Sequence, residues 1–150
     1  LAEPLKYTEY LTEGSFILTP HMKEMSRLTG LSVPEIRANR QQVLESLTEE
    51  WNVTCVLKDS RTLIGEAGKR TCVNTSGCQA LAKGGSGDVL CGVIAGLLAQ
   101  GISTFEAATL GTYIHGLSGE TAARKKNSYS ILARDLLESL ATTDITNSNL

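Results

Sequence analysis

The sequence lacks the excess of positive charge that nucleic acid or an anionic membrane surface would demand. Its 150 residues carry Lys+Arg 14 against Asp+Glu 16, a net charge of −2. Neither partner is therefore its main business, although a local phosphate site is compatible with that balance. No signal peptide is expected, since LAEPLKYTEY lacks a basic start followed by an apolar run. The longest apolar stretch, Val89 to Ala99, is about eleven residues, where a membrane span needs ~20. Cys55, Cys72, Cys78 and Cys91 show no CxxC spacing and sit in apolar or glycine-rich runs. Reduced, buried thiols and a cytoplasmic setting are the expectation, rather than disulfides or zinc.

What is present is the composition of a soluble globular protein, 41% apolar and 20% charged, too apolar for disorder. One domain is expected at this length, with a core burying roughly 70% of the unfolded surface. Phe16-Ile17-Leu18 reads as a strand end stopped by Thr19-Pro20. From His21 to Leu28, Met22, Met25 and Leu28 recur at helical spacing, and Gly30 is a C-terminal stop. Ser32 and Glu35 form a capping box with Pro34 in the first turn. One helix is expected from there to about Trp51, its face made by Ile36, Val43, Leu44 and Leu47.

Val53 to Leu57 is β-branched and continuous, a strand buried on both faces. Thr62–Ile64 and Thr71–Val73 follow as short strands of an antiparallel excursion at one side of the sheet. Helices are expected over Val89–Gln100, after the Ser103/Glu106 box, and over Ile131–Leu140, with residues 141–150 a frayed tail. No internal repeat is visible. The order of elements predicts an α/β fold.

The chemistry concentrates in Asn74 to Gly92, NTSGCQALAKGGSGDVLCG. A glycine-rich turn opening directly into an apolar helix presents free backbone N–H groups at the positive end of the helix dipole, which suits phosphate or an oxyanion. Gly84, Gly85 and Gly87 leave no side chain in the way. The stretch is neither GxxxxGK[ST] nor GxGxxG, because no Lys follows the glycines and Leu90 stands where a third Gly belongs. An anion site and a plain structural turn both stand as readings of this segment. Asp88 is correspondingly either a dipole partner or N-cap, or a general base poised on a hydroxyl.

Lys83 to Gly101, KGGSGDVLCGVIAGLLAQG, resembles the GG[ST]GDVL-G-IAGLLAQG signature of the ribokinase-like superfamily. More narrowly, the chain resembles the ADP- or ATP-dependent NAD(P)H-hydrate dehydratases. Thr19 to Leu28 is similar to that family's [NT]PHxxEMxRL, Val56 to Thr62 to its VLKG-x-x-T loop, and Gly111 to Gly116 with Gly119 to its YxHGxAGD stretch. The likeness runs from about Ser15 to Leu140. The family's domain is longer than this chain, which corresponds to its second half, the C-terminal part of a ribokinase-like three-layer sandwich. The start at Leu1 rather than Met agrees with a fragment.

The resemblance implies a repair reaction. The hydrated, 6-hydroxy form of NADH or NADPH is phosphorylated on its hydroxyl by ADP or ATP, with Mg²⁺ implied, and phosphate then leaves in place of hydroxide. By position, Asp88 would contact the substrate hydroxyl and take its proton. Gly85, Ser86 and Gly87 would cradle the transferring phosphoryl group and nucleotide. Lys58, Asp59, Ser60, Arg61 and Thr62 would line the nucleotide phosphates and ribose, although Asp59 departs from the family's Gly and an acidic group there repels phosphate unless it points away. His21 would touch the hydrated nicotinamide, or else is a capping group. Glu24 would hold His21, bind magnesium through water, or lie solvated; no dedicated metal cluster is visible.

Cys78, where the family commonly has Asn, reads as packing, and His115 as a satisfied interior histidine. Gly92 and Gly96 are expected to permit close packing. Lys69-Arg70 and Arg124-Lys125-Lys126 read as solvated surface. A small-molecule kinase of the same superfamily, acting on a sugar or vitamin precursor, is the alternative, and a non-catalytic fragment is a third. Strands deprived of their partners would leave an open sheet edge, so a homo-oligomer is expected.

Overall fold

The structure, a computed structural model, describes residues 16–127 and 130–143. The chain divides into two compact units, Leu1–Asn74 with Ser103–Thr109, and Thr75–Ile102 with Leu110–Leu150.

The first unit is built on a four-stranded sheet in the order β1 (Ile17–Leu18), β2 (Thr54–Leu57), β3 (Leu63–Gly65), β4 (Cys72–Val73). β1 runs parallel to β2, with Ile17 opposite Thr54. The two antiparallel pairs that follow, Val56 opposite Ile64 and Ile64 opposite Cys72, are the expected excursion at one side. Every residue of β2 is buried. Parallel neighbours need a crossover, here made of α1 (Met22–Thr29), α2 (Val33–Ala38) and α3 (Arg40–Trp51). α1 buries Met22, Met25 and Leu28, and stops at Gly30, whose φ of 72° lets its N–H return to the Ser26 carbonyl. The Ser32/Glu35 box opens α2 as expected.

The single helix expected from Ser32 to Trp51 is two helices. Asn39 interrupts it at φ −135°, ψ 39°. The apolar spacing is itself interrupted there, from Ile36 to Val43, and Asn is a weak helix former that takes end positions readily. Met25, Ile36, Leu44, Cys55 and Leu57 are fully buried in one core cluster. Gly65 gives α3 its seat on the sheet, because a Cβ there would come 3.0 Å from Leu44 Cγ.

The second unit holds a 3₁₀ turn (Gln79–Leu81), α4 (Ser86–Leu98), most of α5 (Thr104–Lys125) and α6 (Ala133–Leu140). α4 starts three residues before the expected Val89, so the glycine turn itself becomes the helix start. Ala80, Val89, Ala122, Ile131 and Leu136 form this unit's core. The close approaches fall on α5 rather than on Gly92 and Gly96, which have nothing within 4 Å. A Cβ on Gly111 would meet Ile94 at 2.7 Å, one on Gly119 would meet Leu81 at 2.6 Å, and one on Gly116 would collide with Ser76.

All four thiols are free. Cys55 is buried, which pushes its thiol up to about 12, but Cys91 is exposed, against the expectation of burial. Cys78 packs on the Ala80–Ile131 cluster, as expected. The short basic runs are exposed, as expected, and within them Lys69 pairs with Glu66 at 2.8 Å and Lys126 with Asp135 at 2.6 Å. No helix among the described residues is long and apolar enough to cross a membrane. The tail lies, from residue 144, outside the described residues.

Candidate active site

In the second unit the glycine turn is shaped by one residue. Gly85, the N-cap of α4, sits at φ 83°, a conformation costly for any residue with a Cβ, and a Cβ there would also press on Ala133 at 3.0 Å. The Ser86 N–H reaches back to the Lys83 carbonyl at 3.3 Å, and the Val89 N–H makes the first helical bond, to Gly85, at 3.2 Å. The N–H groups of Gly87 and Asp88 fall between them, in the first turn, where no preceding helical carbonyl is in reach. Asp88 is exposed beside these donors. Since Gly85 holds the N-cap position, the N-cap reading of Asp88 does not stand, which leaves the dipole partner and the base.

Ser86 turns inward. It is buried, and its Oγ lies 3.2 Å from Nε2 of the equally buried His115. Its hydroxyl therefore faces α5 rather than an anion at the helix start. His115 is an interior histidine with a partner, as the sequence suggests. The Asn74–Leu81 segment ahead of the turn is held to α5 as well. Ser76 Oγ donates to the Tyr113 carbonyl at 2.9 Å, and the Gly77 N–H to Glu120 Oε1 at 2.7 Å.

In the first unit, the other candidate residues form two small groups. His21 is the N-cap of α1: its Nδ1 accepts the Glu24 N–H at 3.1 Å, while Glu24 Oε2 accepts the His21 N–H at 2.8 Å. With Nδ1 occupied as an acceptor, Nε2 carries the proton and is the atom offered outward. The Lys58 N–H bonds the Pro20 carbonyl at 2.8 Å, and Lys58 Nζ lies 4.0 Å from Glu24 Oε2. Residues remote in sequence, His21, Glu24 and Lys58, thus share one strand end, where His21 bridges to Lys58 in parallel.

The second group answers the question raised by Asp59. Arg40 Nη1 donates to Asp59 Oδ2 at 3.1 Å and to the Arg61 carbonyl at 3.0 Å. The carboxylate is thereby paired, and the 58–62 loop is held by the first residue of α3. Thr62 Oγ1 closes the loop on the Asp59 carbonyl at 3.4 Å, and Ser60 and Arg61 are exposed. Sequence reasoning missed Arg40, because inside one continuous helix it has no reason to face this loop. It missed Glu120 as well, and no local signal marks either residue.

For magnesium, the described residues contain no group of three or more His, Cys, Asp or Glu that could hold an ion. Glu24 is committed to its capping box and to Lys58. A magnesium ion bound to this chain would have to be held chiefly by nucleotide phosphates and water.

A family model described as NAD(P)H-hydrate dehydratase matches residues 3–142. The chain belongs to the NAD(P)H-hydrate dehydratase family. It is 42% identical over 115 residues to the ADP-dependent (S)-NAD(P)H-hydrate dehydratase of Neisseria meningitidis, covering 75% of this chain and 39% of that protein. Among solved structures it is similar to the ADP/ATP-dependent NAD(P)H-hydrate dehydratase of Bacillus subtilis co-crystallised with ATP and Mg²⁺. The TM-score is 0.83 at 33% identity, over 87% of this chain and 47% of that one. A ribokinase-like superfamily protein of Enterococcus faecalis matches with a TM-score of 0.72 at 29% identity, over 91% of this chain and 47% of that one. The fold is α/β and ribokinase-like, as the glycine turn suggests. The chain spans 24% to 42% of the length of curated relatives it matches.

Proposed function

We propose that the chain carries the phosphoryl-handling part of an enzyme that dehydrates NAD(P)H hydrate at the expense of ADP or ATP. The observation that carries this reading is the Gly85–Asp88 turn. Two backbone donors at a positive helix end stand beside an exposed carboxylate, in a chain of the dehydratase family. Hydroxide is a poor leaving group and phosphate a good one, so a transferable phosphoryl group serves a dehydration. Asp88 takes the proton of the substrate hydroxyl as its oxygen attacks the terminal phosphorus of the nucleotide, and the bond from that phosphorus to the bridging oxygen breaks. The Gly87 and Asp88 N–H groups stabilise charge on the transferring group.

The ring-nitrogen lone pair then expels phosphate with the C–O bonding electrons. Loss of a proton from the neighbouring ring carbon restores the dihydropyridine. The sum is hydrate plus ATP giving NAD(P)H, ADP, phosphate and a proton; ADP would give AMP in the same way. In this reading Lys58 faces the nucleotide phosphates with Ser60, Arg61 and Thr62, Asp59 is neutralised by Arg40, and His21 offers Nε2–H to the hydrated nicotinamide. Magnesium, if bound with the nucleotide, would offset phosphate charge. Among the described residues β1 is an outer strand of the sheet, and a second copy adding there would make the protein a homo-oligomer.

The test is a melting-temperature series of the chain with ADP, ATP and AMP plus Mg²⁺, beside Gly87→Val. A ligand bound only by the folded form must raise stability, by about 2.7 kcal/mol at a hundred times Kd. A rise absent in the variant supports the reading, and the ranking of nucleotides identifies the phosphoryl donor. No rise with any nucleotide would leave the chain a folded, non-catalytic piece.

A further inference from the structure

We propose that His115 is a positioning residue for the Gly85–Asp88 turn, acting through Ser86. The inference rests on the reading of that turn as the phosphoryl site. His115 is in the middle of α5, 6% exposed, and Ser86 is 4% exposed, with 3.2 Å between Nε2 and Oγ. A buried imidazole is costly unless its polar atoms are paired, and Ser86 supplies that pairing from the first residue of α4.

The surroundings are built for this contact. Gly111 and Gly116 flank His115 one turn before it and directly after it. A Cβ at the first would meet Ile94 at 2.7 Å, and a Cβ at the second would overlap Ser76. α4 packs closely on α5 one turn before His115, and the segment ahead of the turn packs on it directly after His115. Ser86 is the first helical residue, so its orientation sets those of the next two. Those two are Gly87 and Asp88, the donors of the anion site and the base. His115 therefore governs both without touching a ligand, and small displacements of such groups carry large rate penalties.

The experiment compares His115→Phe, which keeps the ring volume and removes both nitrogens, His115→Gln, which restores a polar atom at similar reach, Ser86→Ala, and the Ser86→Ala/His115→Phe pair. Calorimetric Kd values for ADP and ATP with Mg²⁺ are measured alongside amide resonances of Gly87 and Asp88 in the ligand-free chain. Loss of one buried hydrogen bond predicts a rise in Kd of about tenfold for His115→Phe and for Ser86→Ala. The pair should lose no more than either alone, the Gln variant should return to within about threefold, and the two amide signals should shift or broaden in His115→Phe and in Ser86→Ala but not in His115→Gln.

An unchanged Kd and unchanged amide signals in a folded His115→Phe would overturn the proposal, as would additive losses in the pair. Should His115→Phe fail to fold, Ser86→Ala decides by the same two readouts. A wild-type chain that binds no nucleotide would instead defeat the functional reading, and the amide comparison would still decide whether His115 sets the turn.

Discussion

Arg40 and Asp59, nineteen residues apart, meet through a 3.1 Å hydrogen bond that exists because Asn39 breaks the helix before Arg40. The same guanidinium holds the Arg61 carbonyl, so the loop proposed to carry nucleotide phosphates is fastened at two points. Pairing also cancels the charge that makes Asp59 an unexpected residue there.

Arg40→Ala should therefore weaken nucleotide binding by exposing the phosphates to an unpaired carboxylate, on the order of 1 kcal/mol. Arg40→Ala/Asp59→Ala should recover part of that loss. Both partners are only partly buried, so the stability change should stay within about 1 kcal/mol. Titration calorimetry beside urea denaturation separates the two effects.

Asp88→Asn should leave nucleotide Kd within a few-fold and cut turnover by about 10²–10⁴, the usual worth of a positioned base. The readout is the near-ultraviolet absorbance of the restored dihydropyridine, in a form of the protein that turns hydrate over. A dipole partner alone would change neither quantity more than a few-fold.

Glu66 makes a pH prediction. Burial works to raise its carboxyl, but is outweighed by hydrogen bonds from Lys69, Thr54 and Thr104, so it is held below its ordinary value of 4.5. Through Thr104 at 2.9 Å it ties the start of α5 to the end of β3, while Lys69 lies over the Phe105 ring at 4.8 Å. A carboxyl with a lowered value adds stability above its unfolded value and loses it as pH falls through the folded one. Glu66→Gln should melt lower than wild type at pH 7, and the gap should close as pH falls through and below the ordinary glutamate range. Melting curves at half-unit pH steps follow it.

The glycines divide into two classes with opposite expectations. Gly116→Ala forces a Cβ into Ser76 and should cost about 1–3 kcal/mol or more. Gly96→Ala, exposed and with nothing within 4 Å, should stabilise α4 by about 0.5–1 kcal/mol. Urea midpoints at constant slope are the measure.

Most local structure was legible because local rules govern it. Met22, Met25 and Leu28 repeat at helical spacing, Gly30 stops their helix, and Ser32 with Glu35 starts the next, each through bonds a few residues long. The glycine turn and its Asp88 were visible for the same reason. The break at Asn39 was not, since Ser32 to Trp51 contains no Gly and no Pro beyond the first turn. Gly92 and Gly96 also misled, because spacing shows which residues share a helix face but not what that face meets.

By itself the sequence determined most of the elements, the dehydratase-family signature and the glycine turn with its Asp88, all matters of near neighbours. Only the tertiary structure decided that Ser86 turns inward to His115, that Arg40 neutralises Asp59, and that Glu120 holds Gly77. Those partners are separated by 19 to 43 residues, and chain folding, not periodicity, brings them within hydrogen-bond distance.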